Sequence, residues 1–349
     1  MSVPGKPLHK NLIQFNSRVM NEIKLDKKVN FDNIKDKVRV FAPATVANMI
    51  CGFDILGFAV NEPGDEVKMY RVAEPGVRIR SIAGDDGRLP LDADRNTVSA
   101  CVKMLLRDLG VADTIGVEIE LIKHMPIGSG LGSSSASTVA GLYAINALLG
   151  TPLTKEELMP YCVEGERLAC GHGHADNVAP ALMGGVTLIR GQEALDVIKL
   201  PVPGDLYAGI VFPQVDVPTR DARQLIKDKV LLKEAVVQWG NIAGLIAGLF
   251  QNDYDLIGRS MQDVLIEPTR AILIPEFYEM KRIALECGAL SFGISGSGPS
   301  VVAISRGEDI ARVATTKIKE HLSSKEIDSY QYVSAVNVEG PRLLEFDNV

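Results

Sequence analysis

The sequence predicts an α+β protein built in two halves. Three observations carry that prediction. Alternating strand patterns are interleaved with apolar stripes of helical period from Val38 onward. A glycine- and serine-rich tract, Pro126–Ser137, joins a strand directly to a helix instead of standing as a linker. Pro201-Val-Pro-Gly204 punctuates the chain where a domain junction belongs. A chain of 349 residues holds one large or two ordinary domains.

Residues 1–37 are polar and rich in Lys and Asn, without the apolar stretch of a secretory signal. They read as a poorly ordered extension that carries no chemistry. Val38–Phe41 alternates as a short strand. Asn96 and Thr97 precede an apolar stripe, Val98, Val102, Leu105, Leu106 and Leu109, and Gly110 ends that helix. Val117, Ile119 and Leu121 alternate with Glu118 and Glu120, a strand with one wet face that runs into the glycine tract. After the tract, Val139, Leu142, Ile145 and Leu148 mark a helix that stops at Gly150 and Pro152. Thr154 and Glu157 form a capping box for a helix through about Ala169. Val186–Ile189 is a strand closing the first half near residue 200.

The second half opens with a strand at Leu206–Phe212 and a long helix around Leu231–Phe250. A helix near Glu276–Glu286, strands at Ala289–Ile294 and Val301–Ser305, a helix near Asp309–Leu322 and a strand near Tyr330–Val338 complete it. Two helices on an antiparallel sheet suit this order.

Composition narrows the function. Hydrophobic residues make up 46% of the chain, enough for a sizeable core. A net charge of −7 argues against non-specific nucleic-acid binding, which needs clustered cations. Five cysteines without CxxC spacing read as reduced thiols of a cytoplasmic protein. No apolar run approaches the roughly 20 residues of a membrane span.

The glycine tract carries the chemistry. Pro126-Ile127-Gly128-Ser129-Gly130-Leu131-Gly132-Ser133-Ser134-Ser135-Ala136 places three glycines at alternate positions before a helix. Glycines let the backbone approach a ligand, and the helix start offers unpaired N–H groups and a positive dipole end. Serine hydroxyls there can touch phosphate or a hard cation. No Lys follows Gly132, as a Walker loop requires, and Ser133 stands where a dinucleotide fingerprint wants a third glycine. The tract therefore reads as a phosphate loop of another type.

Other segments are weaker alone. Asn48 and Asp54 follow the first strand six residues apart. Glu164, Glu166, His172, His174, Asp176 and Asn177 cluster after a helix. Their spacing suits one carboxylate for Mg²⁺ better than a zinc site. Thr219…Arg223 and Glu267-Pro-Thr-Arg270 supply guanidinium groups suited to a carboxylate. Gly293-Ile-Ser-Gly-Ser-Gly-Pro299 connects two strands.

On Pro43–Gly57, Pro126–Ser137 and Gly293–Pro299, the chain resembles the GHMP kinase superfamily from about Val38 to its last strand. The segments His174–Pro180, Thr219…Arg223 and Asp263…Arg270 point, within it, to the branch that phosphorylates the hydroxyl of L-homoserine on the route to threonine. The resemblance implies a ribosomal-protein-S5-like, ATP-binding half over residues 38–200 and a ferredoxin-like half over 201–349. It implies that Pro126–Ala136 wraps the ATP phosphates and that Ser134 and Glu166 hold Mg²⁺. Arg223 and Arg270 would clamp the substrate carboxylate, Asp54 would face its ammonium group, and Asn48, His174 and Thr219 would complete the pocket. Asn177 falls where several relatives place a catalytic Asp. An amide is no general base, so Asn177 would orient the hydroxyl. Met49-Ile50-Cys51 stands where the family often has a glycine- or proline-rich turn, and Gly173 where a proline is common. A homodimer is an assembly the resemblance leaves open. Two other readings are a GHMP kinase for another small alcohol, such as mevalonate, and a catalytically silent relative that senses a small molecule.

Overall fold

A computed structural model of the chain describes residues 27–171, 173–191, 195–215, 226 and 229–346. Its first sheet takes β1 (Lys37–Ala47), β2 (Leu56–Val72), β3 (Gly76–Ala83), β4 (Gly116–Ile122), β5 (Val186–Gly191) and β6 (Asp196–Leu200). β2 pairs with β1 along most of its length. Its second half pairs with β4, and its first residues pair with β5, which in turn pairs with β6. Only β3 and β4 pair in parallel in this sheet, and the helix α1 (Thr97–Asp108) lies between them in the chain. Asn96 caps α1 by accepting the Val98 N–H at 3.0 Å.

Three more helices complete this half: α2 (Ser133–Leu148) and α4 (Ala175–Met183) pack on the sheet, and α3 (Lys155–Cys170) packs on α1, α2 and α4. α2 is buried nearly all round, as its run of small and apolar residues requires. The expected capping box opens α3, with Thr154 and Glu157 satisfying each other's backbone N–H groups.

The second half contains β7 (Leu206–Pro213), α5 (Leu232–Gln251), α6 (Tyr254–Ser260), the one-turn α7 (Glu267–Arg270), α8 (Phe277–Glu286), β8 (Ser291–Ile294), β9 (Val301–Arg306), α9 (Glu308–Ser324) and β10 (Ser329–Ala335). The sheet order is β10-β7-β9-β8, antiparallel throughout. That is strand order 4-1-3-2 of a ferredoxin-like unit. Both faces of its inner strands β7 and β9 are buried. Val301 and Ala303 pack with Phe277, Phe292 and Ile318 under α8 and α9, whereas Val302 and Ile304 join the main core with Leu245 and Leu249 of α5. An uninterrupted Val-Val-Ala-Ile run is what a strand covered on both faces needs.

The halves are stitched together at β2. The Asn61 N–H donates to Ser334 Oγ at 2.8 Å, and the Asn337 N–H to the Ala59 carbonyl at 2.8 Å. The last strand among the described residues, β11 (Arg342–Leu344), pairs with β1 and so joins the first sheet. Of residues 1–37, only 27–37 fall within the described residues. They include a 3₁₀ turn at Phe31–Asn33, and the Lys35 N–H donates to the Leu148 carbonyl at 2.8 Å.

Candidate active site

The glycine loop leaves β4 and ends at Gly132, which caps α2 in a left-handed conformation without any side-chain bond. Gly128, Gly130 and Gly132 have φ of 78°, 82° and 66°. The tight packing differs among them. A Cβ at Gly130 would lie 2.7 Å from the carbonyl oxygens of Ser295 and Gly298, and one at Gly132 would lie 2.7 Å from Asn177 Oδ1. One at Gly128 would meet open space. The loop is pinned by three bonds: Ser300 N–H to Ser129 O (3.1 Å), Ser295 Oγ to Gly130 O (2.8 Å) and Thr45 N–H to Leu131 O (3.1 Å). Gly293–Pro299 thus supports the loop from the second half.

A cavity of about 510 Å³ opens over this loop. Ile127, Gly128, Ser129, Gly130, Gly132 and Ser133–Ser135 line it, together with Glu166 and Asn177. Pro126 is not among its lining residues, and Leu131 and Ala136 are fully buried behind it. Leu89, Pro90 and Arg95–Val98 also line it; of these the sequence showed only the helix start at Asn96, with no binding motif. The first turn of α2 faces the cavity with its N–H groups and positive dipole end, a setting that favours an anion.

Beneath the loop lies a polar cluster that the sequence did not disclose. The Lys123 ammonium pairs with Asp65 Oδ2, and it also donates to Ser137 Oγ at 2.6 Å and to the Ser133 carbonyl at 3.0 Å. Asp65 accepts further bonds from Ser133 Oγ, Ser137 Oγ and the His124 N–H, each at 3.0 Å, and from the Met125 N–H at 3.3 Å. Burial pulls the Lys123 pKa down and the Asp65 charge opposes that shift. The lysine precedes the glycines instead of following them, and Asp65 comes from β2. No local motif links the two.

Of the two glutamates near the C-terminal end of α3, Glu164 is held by Arg167 at 2.8 and 2.5 Å. Glu166 is buried and accepts a bond from Ser135 Oγ at 2.6 Å, with Ser134 exposed beside it on the cavity wall. A carboxylate and a hydroxyl fit Mg²⁺, which keeps waters and takes phosphate oxygens. Among the described residues there is no group of three or more His, Cys, Asp or Glu placed to cage a metal. His172 lies outside the described residues.

Asn48 and Arg270 meet at Gly296, and Asp54 and His174 follow on from Asn48. Asn48 Nδ2 donates to the Gly296 carbonyl at 2.9 Å, and Arg270 Nη1 donates to the same oxygen at 2.9 Å. The Arg270 guanidinium lies 5.1 Å from the centre of the Phe53 ring. Asn48 Oδ1 accepts the Asp54 N–H at 3.0 Å, and Asp54 Oδ2 is 3.6 Å from His174 Nδ1. His174 stands at the N-terminal cap of α4, one turn before Asn177. Asn177 Oδ1 accepts a bond from Thr45 Oγ at 2.7 Å. Thr219 and Arg223 lie outside the described residues.

The Met49-Ile50-Cys51 turn is built without glycine. Asn48, Met49 and Ile50 have φ of 70°, 41° and 66°, each in the left-handed region that costs L-residues roughly 1–2 kcal/mol. Gln238 of α5 holds the turn, donating to the Cys51 carbonyl at 2.6 Å and accepting the Val264 N–H at 3.0 Å. Asp263 then accepts three N–H groups, from Leu265, Ile266 and Glu267, at 2.8–3.0 Å and so starts α7. Burial, with Asp263 second, pushes the Cys51 thiol up to about 12.

A glycine loop at a helix start, set between an α/β half and a ferredoxin-like half, is the arrangement of a small-molecule kinase of the GHMP type. Two family models agree: GHMP kinases N terminal domain matches residues 96–185, and GHMP kinases C terminal matches 245–324. The homoserine kinase of Chlorobium phaeovibrioides is 47% identical over 317 residues, covering 88% of this chain and 99% of its own. That of Xylella fastidiosa is 39% identical over 308 residues, covering 88% and 94%. The crystal structure of homoserine kinase from Cytophaga hutchinsonii is 54% identical, covers 91% of this chain and all of its own, and superposes with a TM-score of 0.87. A mevalonate kinase of L. major, 17% identical with a TM-score of 0.67, shares the fold. The chain belongs to the homoserine kinase family. No helix among the described residues is long and apolar enough to cross a membrane.

Proposed function

We propose that the protein transfers the γ-phosphoryl group of ATP to the hydroxyl oxygen of L-homoserine, giving O-phospho-L-homoserine on the route to threonine. The observation that carries this reading is the position of Asn177. It stands against Gly132 of the phosphate loop on one side and one helical turn from His174 on the other. Donor phosphates belong on the loop and the first turn of α2. The amino acid belongs with Asn48, Asp54, His174 and Arg270, where a guanidinium meets its carboxylate and Asp54 its ammonium group. Thr219 and Arg223 complete that pocket in this reading.

Glu166 and Ser134 would hold Mg²⁺, which, when bound, neutralises phosphate charge as it develops. The chain's own residues supply position and electrostatics. The N–H groups of α2 hold the anion, Gly128 leaves room for it, and Asn177 orients the attacking hydroxyl. Phosphoryl transfer needs little more, because alignment and charge stabilisation provide most of its catalysis. Mevalonate also carries a carboxylate, but it has no ammonium group for Asp54 to meet. The test is a coupled ADP-release assay with homoserine, mevalonate, shikimate and galactose in turn. Homoserine should be turned over and the others far more slowly. No turnover of homoserine at millimolar concentration would overturn the proposal.

A further inference from the structure

We propose that Thr45 is a positioning residue that fixes the Asn177 carboxamide, so that Asn177 presents its NH₂ edge, and not its carbonyl, to the acceptor hydroxyl. This rests on the transfer reaction proposed above and assigns a residue to it. Thr45 is fully buried on β1, and its Oγ lies 2.7 Å from Asn177 Oδ1. Among the described residues, that is the only hydrogen bond either side chain makes. A buried hydroxyl proton needs an acceptor, and Oδ1 is the acceptor at hand. With the amide reversed, the Thr45 proton would have none. Oδ1 is therefore occupied, and Nδ2 is the polar edge Asn177 offers to the cavity it lines.

The same residue also sets the phosphate loop. The Thr45 N–H donates to the Leu131 carbonyl at 3.1 Å. Its main chain thus holds the donor side of the reaction and its side chain the acceptor side, which places both in one register. Gly132 fits between them because a Cβ there would strike both Thr45 Oγ1 and Asn177 Oδ1. An NH₂ donor can hold the acceptor oxygen and aim a lone pair at phosphorus, but it cannot remove the hydroxyl proton. In the transfer, the new P–O bond forms as the β,γ-bridging bond breaks, ADP departs with that electron pair, and the hydroxyl proton leaves through a phosphoryl oxygen to water.

The test is a mutant cycle of Thr45→Val and Thr45→Ser, each alone and combined with Asn177→Ala. Thr45→Val should lower kcat about tenfold or more while changing the KM for ATP and the thermal midpoint little. Thr45→Ser, which keeps the hydroxyl, should restore most of kcat. In the Asn177→Ala background, Thr45→Val should add no further loss. An equal loss in both backgrounds, or an unchanged kcat for Thr45→Val alone, overturns the assignment. A wild-type protein that ignores homoserine but phosphorylates another alcohol of the panel refutes the substrate reading instead, and the same cycle is then measured on that alcohol.

Discussion

Lys123 and Asp65 form a buried ion pair beneath the glycine loop, with their side chains 3% and 0% exposed. The two partners are not equivalent. Asp65 keeps two hydroxyl and two backbone N–H donors if the lysine is removed, whereas Lys123 without Asp65 is a buried cation left with one hydroxyl and one carbonyl. Breaking a buried pair by removing one partner costs about 3–5 kcal/mol when the survivor is uncompensated. Asp65→Ala should fall in that range, and Lys123→Met should cost clearly less, both read from urea unfolding. The reverse order would mean that the donors around Asp65 do not support its charge.

The glycines of the loop separate into a tightly packed and an open kind. At Gly130 an added methyl group meets two backbone carbonyls that have nowhere to go. At Gly128 it meets open space, so only the left-handed backbone is penalised, by roughly 1–2 kcal/mol. Gly130→Ala should therefore lower the thermal midpoint strongly and disturb the support from Gly293–Pro299. Gly128→Ala should be folded and raise the KM for ATP severalfold, since its methyl group enters the phosphate space. Similar midpoints for the two variants would contradict this division.

What could be read from the sequence follows from how local each signal is. The α3 capping box, the α1 cap at Asn96 and the Val301–Ile304 run depend on neighbours in the chain, and they stand as expected. β2 was not legible because Glu62-Pro63-Gly64 interrupts its alternation, and α4 was hidden by the absence of a side-chain cap at His174 and by Pro180 inside it. The glycine loop was legible because backbone demands select glycine in a recognisable rhythm. Asp65 and Thr45 were not, because their partners Lys123 and Asn177 lie 58 and 132 residues away and only the folded sheet brings them together. Arg270 is an ordinary arginine in sequence; its meeting with Asn48 on the Gly296 carbonyl is visible only in the fold.

Cysteine reactivity should follow burial. The Cys51 thiol is fully buried, and a pKa of about 12 leaves about one part in 10⁴ as thiolate at pH 8. Cys101 and Cys162 are buried as well, and burial raises both thiols. Cys287 is partly exposed. Iodoacetamide under native conditions should label Cys287 well before these three, which should react only on unfolding. Peptide mapping after a brief pulse measures this, and early labelling of Cys51 would show that the Met49–Cys51 turn opens in the native state.

Glu267 gives the pH dependence of stability a defined sign. One carboxylate oxygen pairs with Lys281 at 2.5 Å, while the other is buried without a hydrogen-bond partner among the described residues. Burial raises its pKa above the usual value, with Asp263 adding to the rise and Lys281 opposing it. A carboxyl group whose folded pKa lies above its unfolded one, about 4.3, binds more protons folded than unfolded between the two values. Its contribution to stability is therefore greatest below pH 4.3 and is lost as the pH climbs through the folded pKa. Glu267→Gln mimics the protonated form at every pH, and Lys281, 28% exposed, can turn its charge to water. The thermal midpoint of Glu267→Gln minus that of the wild type should rise between pH 4 and pH 7. Scanning calorimetry across that range measures the difference, and a constant or falling value would mean that the Lys281 pairing outweighs the burial of the carboxylate.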